Sequence, residues 1–542
     1  MSRGLRQRLE PSGATTTQRY QPARVLVPHS LAVTSERPHH LAEYLSRAAA
    51  RRPDHPALVV GAARMTWGEV DHQAWACAAG LRARGITPGD RVGLFLGNRP
   101  ELVIAYFGAL RAGAVVVPIN PGLTAPEVGP LIDHVGLALL IVDRGTEDVA
   151  AAAAATVPQL VAATGTGDRY LSSLVAEGLT AEPGVVEPAA GDEALALVIY
   201  TSGTSGPAKG AMLTHRALIA NVEQVAAART AVAEPDDVVL MLLPLTHVYS
   251  LAGTLGALTR AAATGVLAEG VGVRDALALV KQYGVTNVPA APALWSAWSS
   301  AADAVESLSE LRIAFSGSAE LPPEVQHRIH TLTGWYVHEG FGLTEASPGV
   351  SSTVVSARAK PGSVGQPFMG IEVRLVDDDG LDLDPADGDP GEIWIKGDNL
   401  FSGYWPDGEG GPNADGWFAT GDVAFVDDDG DLHIVDRRKD IIIVSGFNVY
   451  PHEVEQVLLQ HPGVQDAAVV GVHDDRTGEA VKAYVVVSLG VNALEFTEDL
   501  RAHTATRLAR FKQPTAIEMV AELPHSLSGE VARGRIGGRH ER

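Results

Sequence analysis

From about residue 38 to residue 300, short apolar runs alternate with longer amphipathic segments. RVGLFLG precedes ELVIAYFGALRAG, LALLIVD precedes an alanine-rich stretch, and VTNVPAAP precedes ALWSAWSSAAD. Runs of this kind in this order predict strands joined by helices that pack back over a sheet, a layered α/β domain with largely parallel strands. The low-complexity run AAAAAT at 151–156 fits the surface of one such helix, alanine being the strongest helix former. After residue 360 the pattern changes. GIEVRLVDDDGLDLDPADGDPGEIWIKG and VAFVDDDGDLHIVD read as short strands separated by Asp/Gly turns, hence a β-rich subdomain. The acidic turns lack the alternating carboxylates and final Glu of a calcium loop. Beyond residue 436 the order is strand, helix, strand, strand, helix, strand, a separate α+β domain of about 100 residues.

The length of 542 residues allows this division, because single cores stop growing well before that size. The expected layout is a poorly ordered tail over 1–37, a large domain over 38–436 and a small domain over 437–542. With 42 basic against 65 acidic residues, the net charge of −23 argues against nucleic acid as a partner and against anionic membrane surfaces. No apolar run reaches the ~18 residues of a membrane helix, and the N-terminal segment lacks the apolar centre of a secretory signal. The one cysteine, Cys77, excludes an intrachain disulfide and suits a reducing cytoplasm, the expected location. Its Ala-rich helical setting reads as core.

The segment ALALVIYTSGTSGPAKGAMLTHRAL, residues 194–218, passes from an apolar run into a loop of glycine and hydroxyl residues. Ala208 before Lys209 and Gly210 after it exclude the P-loop NTPase pattern, and neither G-x-G-x-x-G nor G-x-S-x-G fits. No H-E-x-x-H or paired-Cys motif suggests zinc. Thr201, Ser202, Thr204 and Ser205 nevertheless bring four hydroxyls, Gly203 and Gly206 let backbone N–H groups approach an anion, and Lys209 adds a point charge. On its own the loop suits either a phosphate or an ordinary Gly/Ser turn.

Further segments decide between these. YTSGTSGPAKGAMLTH resembles the signature loop of the adenylate-forming superfamily, which includes acyl-CoA synthetases, luciferases and peptide-synthetase adenylation domains. LPLTHVYSL (243–251), FSGSAEL (315–321), HEGFGLTEASP (338–348), GEIWIKG (391–397), GWFATGD (416–422) and VDRRKDIIIVSGFNVYPHEVE (435–455) follow in the family's order. The resemblance runs from about residue 38 to the C-terminus and is nearest to bacterial medium- and long-chain acyl-CoA ligases. It implies a large α/β N-terminal domain with layered sheets and a β-rich subdomain, plus a small mobile α+β C-terminal domain.

The resemblance also implies a chemistry with two halves. A carboxylate attacks the α-phosphate of ATP, giving an acyl-adenylate and pyrophosphate, and a thiol, usually of coenzyme A, then displaces AMP. Thr201, Ser202, Gly203, Thr204, Ser205, Gly206 and Lys209 would wrap the β- and γ-phosphates, opening to release pyrophosphate. Thr344 would contact phosphate, and Glu345 would hold Mg2+, a hard cation wanting oxygen ligands. Phe341, between Gly340 and Gly342, stands where an aromatic ring, often Tyr, stacks on adenine, with Gly317, Ser318 and Ala319 lining the other side. Asp422 would accept from the ribose hydroxyls, with Arg437 as a charged donor beside it. His247 would gate the acyl pocket. Asp436 would be the hinge about which the small domain swings, and Gly446 lies on the face used for thioester formation.

One position departs from the pattern. LPHSLSGEVARGR places Glu530 where relatives carry a lysine that bridges the α-phosphate and the attacking carboxylate. Loss of such a cation typically costs on the order of 100- to 1,000-fold in rate. Three readings are therefore open. The chain is an acid-activating ligase with altered adenylation, a relative repurposed for a small acid such as nitrite or for transfer to an amine, or a non-catalytic nucleotide-binding protein. Trp295 and Trp298 either shorten an acyl tunnel or pack in the core.

Overall fold

Two largely parallel sheets carry the large domain. In the computed structural model, residues 37–153, 156–163, 171–180, 191–201, 208–301, 304–437, 440–444, 447–474, 478–487, 493–525, 531, 533 and 536 are described. One sheet has six strands in the order Leu160–Ala162, Leu139–Val142, Arg91–Phe95, Val115–Pro118, Leu195–Thr201 and Lys209–Thr214. All pairings are parallel except the last. The other has nine strands, in which Pro56–Val60, Thr264–Leu267, Val238–Met241, Asn287–Ala290, Ile313–Ser316 and His338–Gly342 form a parallel centre. Ala63–Thr66 closes one edge antiparallel, and Gly349–Ser352 with Gln366–Pro367 closes the other.

The helices Trp67–Ala83, Pro100–Arg111 and His215–Ala226 share one core with strands of both sheets, so they lie between them. Every residue from Leu102 to Arg111 is buried, which is why ELVIAYFGALRAG has no polar stripe. Arg111 is tolerated there because its guanidinium bonds Ser46 and the Asp71 backbone carbonyl and pairs with the Asp71 carboxylate. Val273–Tyr283, Pro292–Trp298 and Pro323–Thr333 cover the outer face of the nine-stranded sheet, and Ala125–Val135 covers that of the six-stranded one. Cys77 is buried in the central layer, as expected, and burial pushes its thiol up to about 12.

The β-rich subdomain is an antiparallel sheet of four strands, Glu372–Val376, Gly391–Lys396, Phe418–Val426 and Leu432–Arg437. Its second acidic turn is organised around a lysine, with Lys360 Nζ 2.7, 2.6 and 3.6 Å from Asp427, Asp429 and Asp431. The small domain has a sheet of Phe447–Val449, Ile442–Val444, Gly478–Val487 and Val464–Asp474, with Ala516–Val520 parallel to Gly478–Val487. Its helices are Pro451–Leu459 and Ala493–Ala505. The first expected strand is thus two, Ile442–Val444 and Phe447–Val449, paired antiparallel within IIIVSGFNV. Among the described residues no helix is long and apolar enough to cross a membrane.

Two buried histidines give the fold a pH dependence. The rings of His40 and His215 lie 3.8 Å apart, and their Nδ1 atoms accept the Ala42 and Leu41 N–H groups at 3.2 Å. Burial lowers His40 to about 4, and burial together with the neighbouring His40 lowers His215 to about 2. Between pH 6.5 and 4 the unfolded chain takes up protons that the folded chain refuses, so stability falls with pH. The expected loss at pH 5 relative to pH 7.5 is about 2 kcal/mol per histidine. The midpoint of thermal unfolding should drop over that window, and His215→Asn should reduce the drop by about half.

Candidate active site

The segment that raised the question of phosphate is a hairpin connection, not the entry to a helix. Leu195–Thr201 and Lys209–Thr214 pair antiparallel, with Thr201 opposite Lys209. Thr201 Oγ1 bonds the Lys209 carbonyl at 3.4 Å. The base of the loop is therefore fixed at the carboxyl end of a parallel strand, where open α/β sheets place their ligands. Ser202, Gly203, Thr204, Ser205 and Gly206 lie outside the described residues, as do Gly446, Glu530 and the tail before residue 37.

Glu345 meets this hairpin through a residue the sequence reading passed over. Tyr404 Oη donates to Glu345 Oε1 at 2.6 Å, and Lys209 Nζ sits 5.0 Å from the centre of the same phenol ring. The FSGYW segment runs beside Lys209–Thr214, with the Trp405 N–H on the Gly210 carbonyl at 2.7 Å and the Ser402 N–H on the Met212 carbonyl at 2.9 Å. The Phe401 N–H bonds the Glu345 carbonyl at 2.9 Å. Glu345 is buried in the short helical turn Thr344–Ala346, and Thr344 is half-buried beside it. Burial raises the pKa of Tyr404, as do the Glu345 charge and hydrogen bond, so the phenol stays protonated and is the donor in this bond.

Gly317, Ser318 and Ala319 form the turn that leaves strand Ile313–Ser316. Ser318 has φ +73°, a conformation that side chains adopt at a cost and that marks functional turns. A Cβ on Gly317 would lie 3.1 Å from the Tyr249 ring, so the glycine lets this tyrosine close the turn from below. Trp295 supports the same strand from behind through Nε1 on the Phe315 carbonyl at 2.9 Å. Trp295 and Trp298 are fully buried and both indole N–H groups are bonded, so core packing is the correct reading of the pair.

Phe341 is half-buried on strand His338–Gly342, opposite Ser351. Cβ atoms on Gly340 and Gly342 would lie 2.9 and 2.4 Å from backbone oxygens of Ser351 and Pro348, so both glycines serve close strand packing. Glu339, between them and His338, is buried and accepts from the Leu321 N–H at 3.0 Å and from Gln326 at 2.9 Å. Burial pushes its pKa up to about 7. His247 is exposed to solvent but closely surrounded by protein, and that desolvation lowers its pKa. Its Nδ1 accepts the Tyr249 N–H at 3.2 Å, so the neutral ring carries its proton on Nε2.

Asp422 and Arg437 are paired across adjacent strands, with Arg437 Nε 3.5 Å from Asp422 Oδ1. Asp436 sits next to them with its backbone in the sheet, opposite Val423, and its carboxylate directed the other way. That carboxylate accepts the His452 N–H at 2.8 Å, capping helix Pro451–Leu459 of the small domain. The residue named as hinge therefore belongs to both domains at once.

A large α/β domain with glycine-bearing turns at its strand ends, and a small domain that meets it at Asp436 and at the Glu320–His452 pair, form the architecture of CoA ligases of known structure. Residues 45–405 match the AMP-binding enzyme family and residues 453–530 its C-terminal domain. The chain belongs to this family. It is 35% identical over 532 residues to a long-chain-fatty-acid–CoA ligase of Yersinia pestis, covering 92% of this chain and 93% of the relative. Among solved structures, the anthranilate CoA ligase AuaEII with anthranoyl-AMP superposes with TM-score 0.83 at 27% identity, covering 93% and 97%. MatB from Rhodopseudomonas palustris gives 0.81 in its ATP-bound form, at 30% identity over 91% and 97%. Its apo form gives 0.73, at 29% identity over 90% and 97%. The arrangement seen here is thus nearer to the ATP-bound one. The protein is an ATP-dependent ligase that activates a carboxylic acid as its acyl-adenylate and passes the acyl group to coenzyme A, releasing AMP and pyrophosphate. None of these relatives supports diazotisation, an amine acceptor or a purely binding role.

Proposed function

We propose that adenylation takes place between the Thr201–Lys209 hairpin, the Gly317–Ala319 turn, the 338–345 motif and Asp422. The observation that carries this reading is the Lys209–Tyr404–Glu345 contact, which puts a cation and a buried anion on one phenol at a strand end. Lys209 and the hydroxyls from Thr201 to Ser205 hold the outer phosphates of ATP. Phe341 covers the adenine, and Asp422 takes the ribose hydroxyls with Arg437 beside it. An oxygen of the acid attacks the α-phosphorus, the bond to the bridging oxygen of pyrophosphate breaks, and pyrophosphate leaves. In the second half the sulfur of coenzyme A attacks the acyl carbon and the AMP oxygen departs, the thiol proton passing to solvent.

The residues present fit Mg2+. Tyr404 occupies Oε1 of Glu345, and among the described residues no group of three or more His, Cys, Asp or Glu side chains gathers into an all-protein cage. Mg2+ is normally held in this way, by one or two carboxylates plus substrate phosphates. The ion would neutralise phosphate charge, with Glu345 as its protein ligand. His247, exposed just before the helical turn Tyr249–Thr254, borders the acid.

Release of AMP from ATP with a panel of aliphatic and aromatic acids, with and without coenzyme A, tests the reaction. AMP and acyl-CoA should appear together for at least one acid. Asp422→Ala should weaken ATP binding by ~1.5–3 kcal/mol, the worth of a charged hydrogen-bond acceptor. Equal calorimetric affinities for wild type and variant would reject the ribose assignment.

A further inference from the structure

Glu320 follows the Gly317–Ala319 turn directly, and its position is set from both sides. The φ of Ser318 fixes the turn before it, and the bond from the Leu321 N–H to buried Glu339 fixes the chain after it. Across the domain boundary, the carboxylate Oε2 of Glu320 pairs with Nε2 of His452. His452 is equally fixed. Its N–H is on the Asp436 carboxylate, and its ring lies 3.8 Å from Glu455. Glu455 is in turn held by Arg533 at 2.6 Å and by the Val469 N–H at 2.7 Å. Burial works against a charged His452, but the hydrogen bonds and charges of Glu320 and Glu455 outweigh it and push its pKa up to about 10. One residue of the small domain therefore binds the hinge carboxylate with its backbone and the large domain with its ring.

We infer that the Glu320–His452 pair is a clamp that holds the small domain in the orientation for adenylation and opens before thioester formation. The inference rests on the proposed active site and on the two half-reactions using different domain orientations. His452 is a positioning residue, acting through Glu320 on the turn that lines the nucleotide. A partly exposed ion pair contributes little to overall stability, but domain orientations separated by small free energies respond to it. Loss of the pair should shift their ratio about fivefold.

Glu320→Gln and His452→Gln, singly and together in the full chain, test this in single-turnover assays. Each single variant should slow acyl-adenylate formation about fivefold. Thioester formation from synthetic acyl-adenylate and coenzyme A should be unchanged or faster, and the double variant should be no worse than either single one. Equal slowing of both half-reactions, no change in either, additive losses, or slowing of thioester formation alone would overturn the clamp. A Glu320→Cys/His452→Cys variant gives an independent readout, since the native Cys77 is buried. Closing the two thiols with a short bis-methanethiosulfonate linker should block thioester formation and spare adenylation, with reductant restoring thioester formation. Failure of the two thiols to be linked, or full thioester formation by the linked protein, overturns the contact. If wild type forms no acyl-adenylate from any acid, the proposed function falls and takes the clamp's role with it. If wild type is active and the variants do not separate the half-reactions, the clamp alone falls.

Discussion

Single-turnover AMP formation by Glu530→Lys is expected to run about 100-fold faster than in the wild-type chain, the usual worth of one aligned charge at a reacting phosphate. The expectation comes from the sequence, where Pro524, Ser526, Ser528, Gly529 and Val531 keep the family's C-terminal pattern around the substituted position. A carboxylate near phosphates opposes both the bound ATP and the charge that develops as the acid attacks. Thioester formation from pre-made acyl-adenylate should change little, because the resemblance in this motif assigns the lysine to the adenylation step. A flat or lowered adenylation rate would mean that Glu530 is matched to this chain's own acid and that another cation meets the α-phosphate. The assay also bears on why the rest of the ATP-binding pattern is kept beside such a change.

The second large effect is expected at Glu345. Glu345→Gln keeps an oxygen for the Tyr404 hydroxyl and a similar volume, so the turn and its 2.6 Å hydrogen bond should persist while the charge disappears. Adenylation should fall roughly 100- to 1,000-fold, as for loss of one group that stabilises transition-state charge. The thermal midpoint should stay close to wild type. Raising magnesium should recover part of the rate if the defect is weakened metal binding. A variant with unchanged adenylation would remove Glu345 from the reaction, and one with a much lower midpoint would make its role structural. Thioester formation supplied with acyl-adenylate serves as the control, since no pyrophosphate is displaced in that step.

Much of the architecture was legible because its signals are local. Strand and helix alternation before residue 300, the Asp/Gly turns after 360 and the shift near 436 each reflect backbone preferences acting over a few residues. They correspond to the two parallel sheets, the antiparallel sheet of four strands and the small domain. The pairing hidden in IIIVSGFNV was not legible because two three-residue strands separated by only two residues look like one apolar run. The carboxyl end of Leu195–Thr201 was expected to carry a loop, but its antiparallel return through Lys209–Thr214 was not evident from composition.

What the sequence determined by itself was the ordered series of motifs, and with it the family, since each motif is a short stretch whose residue types are readable without knowing its neighbours. What only the tertiary structure decided was which distant side chains meet. Tyr404 reaches Glu345 across 59 positions, Tyr249 closes on the missing side chain of Gly317, and His452 finds Glu320 across a domain boundary. Trp295 and Trp298 went from two readings to one in the same way, when the core around them left both rings buried and both N–H groups bonded. A hydrogen bond or an ion pair depends on separations of a few ångströms, and those are set by how sheets and helices stack rather than by any local preference of the chain.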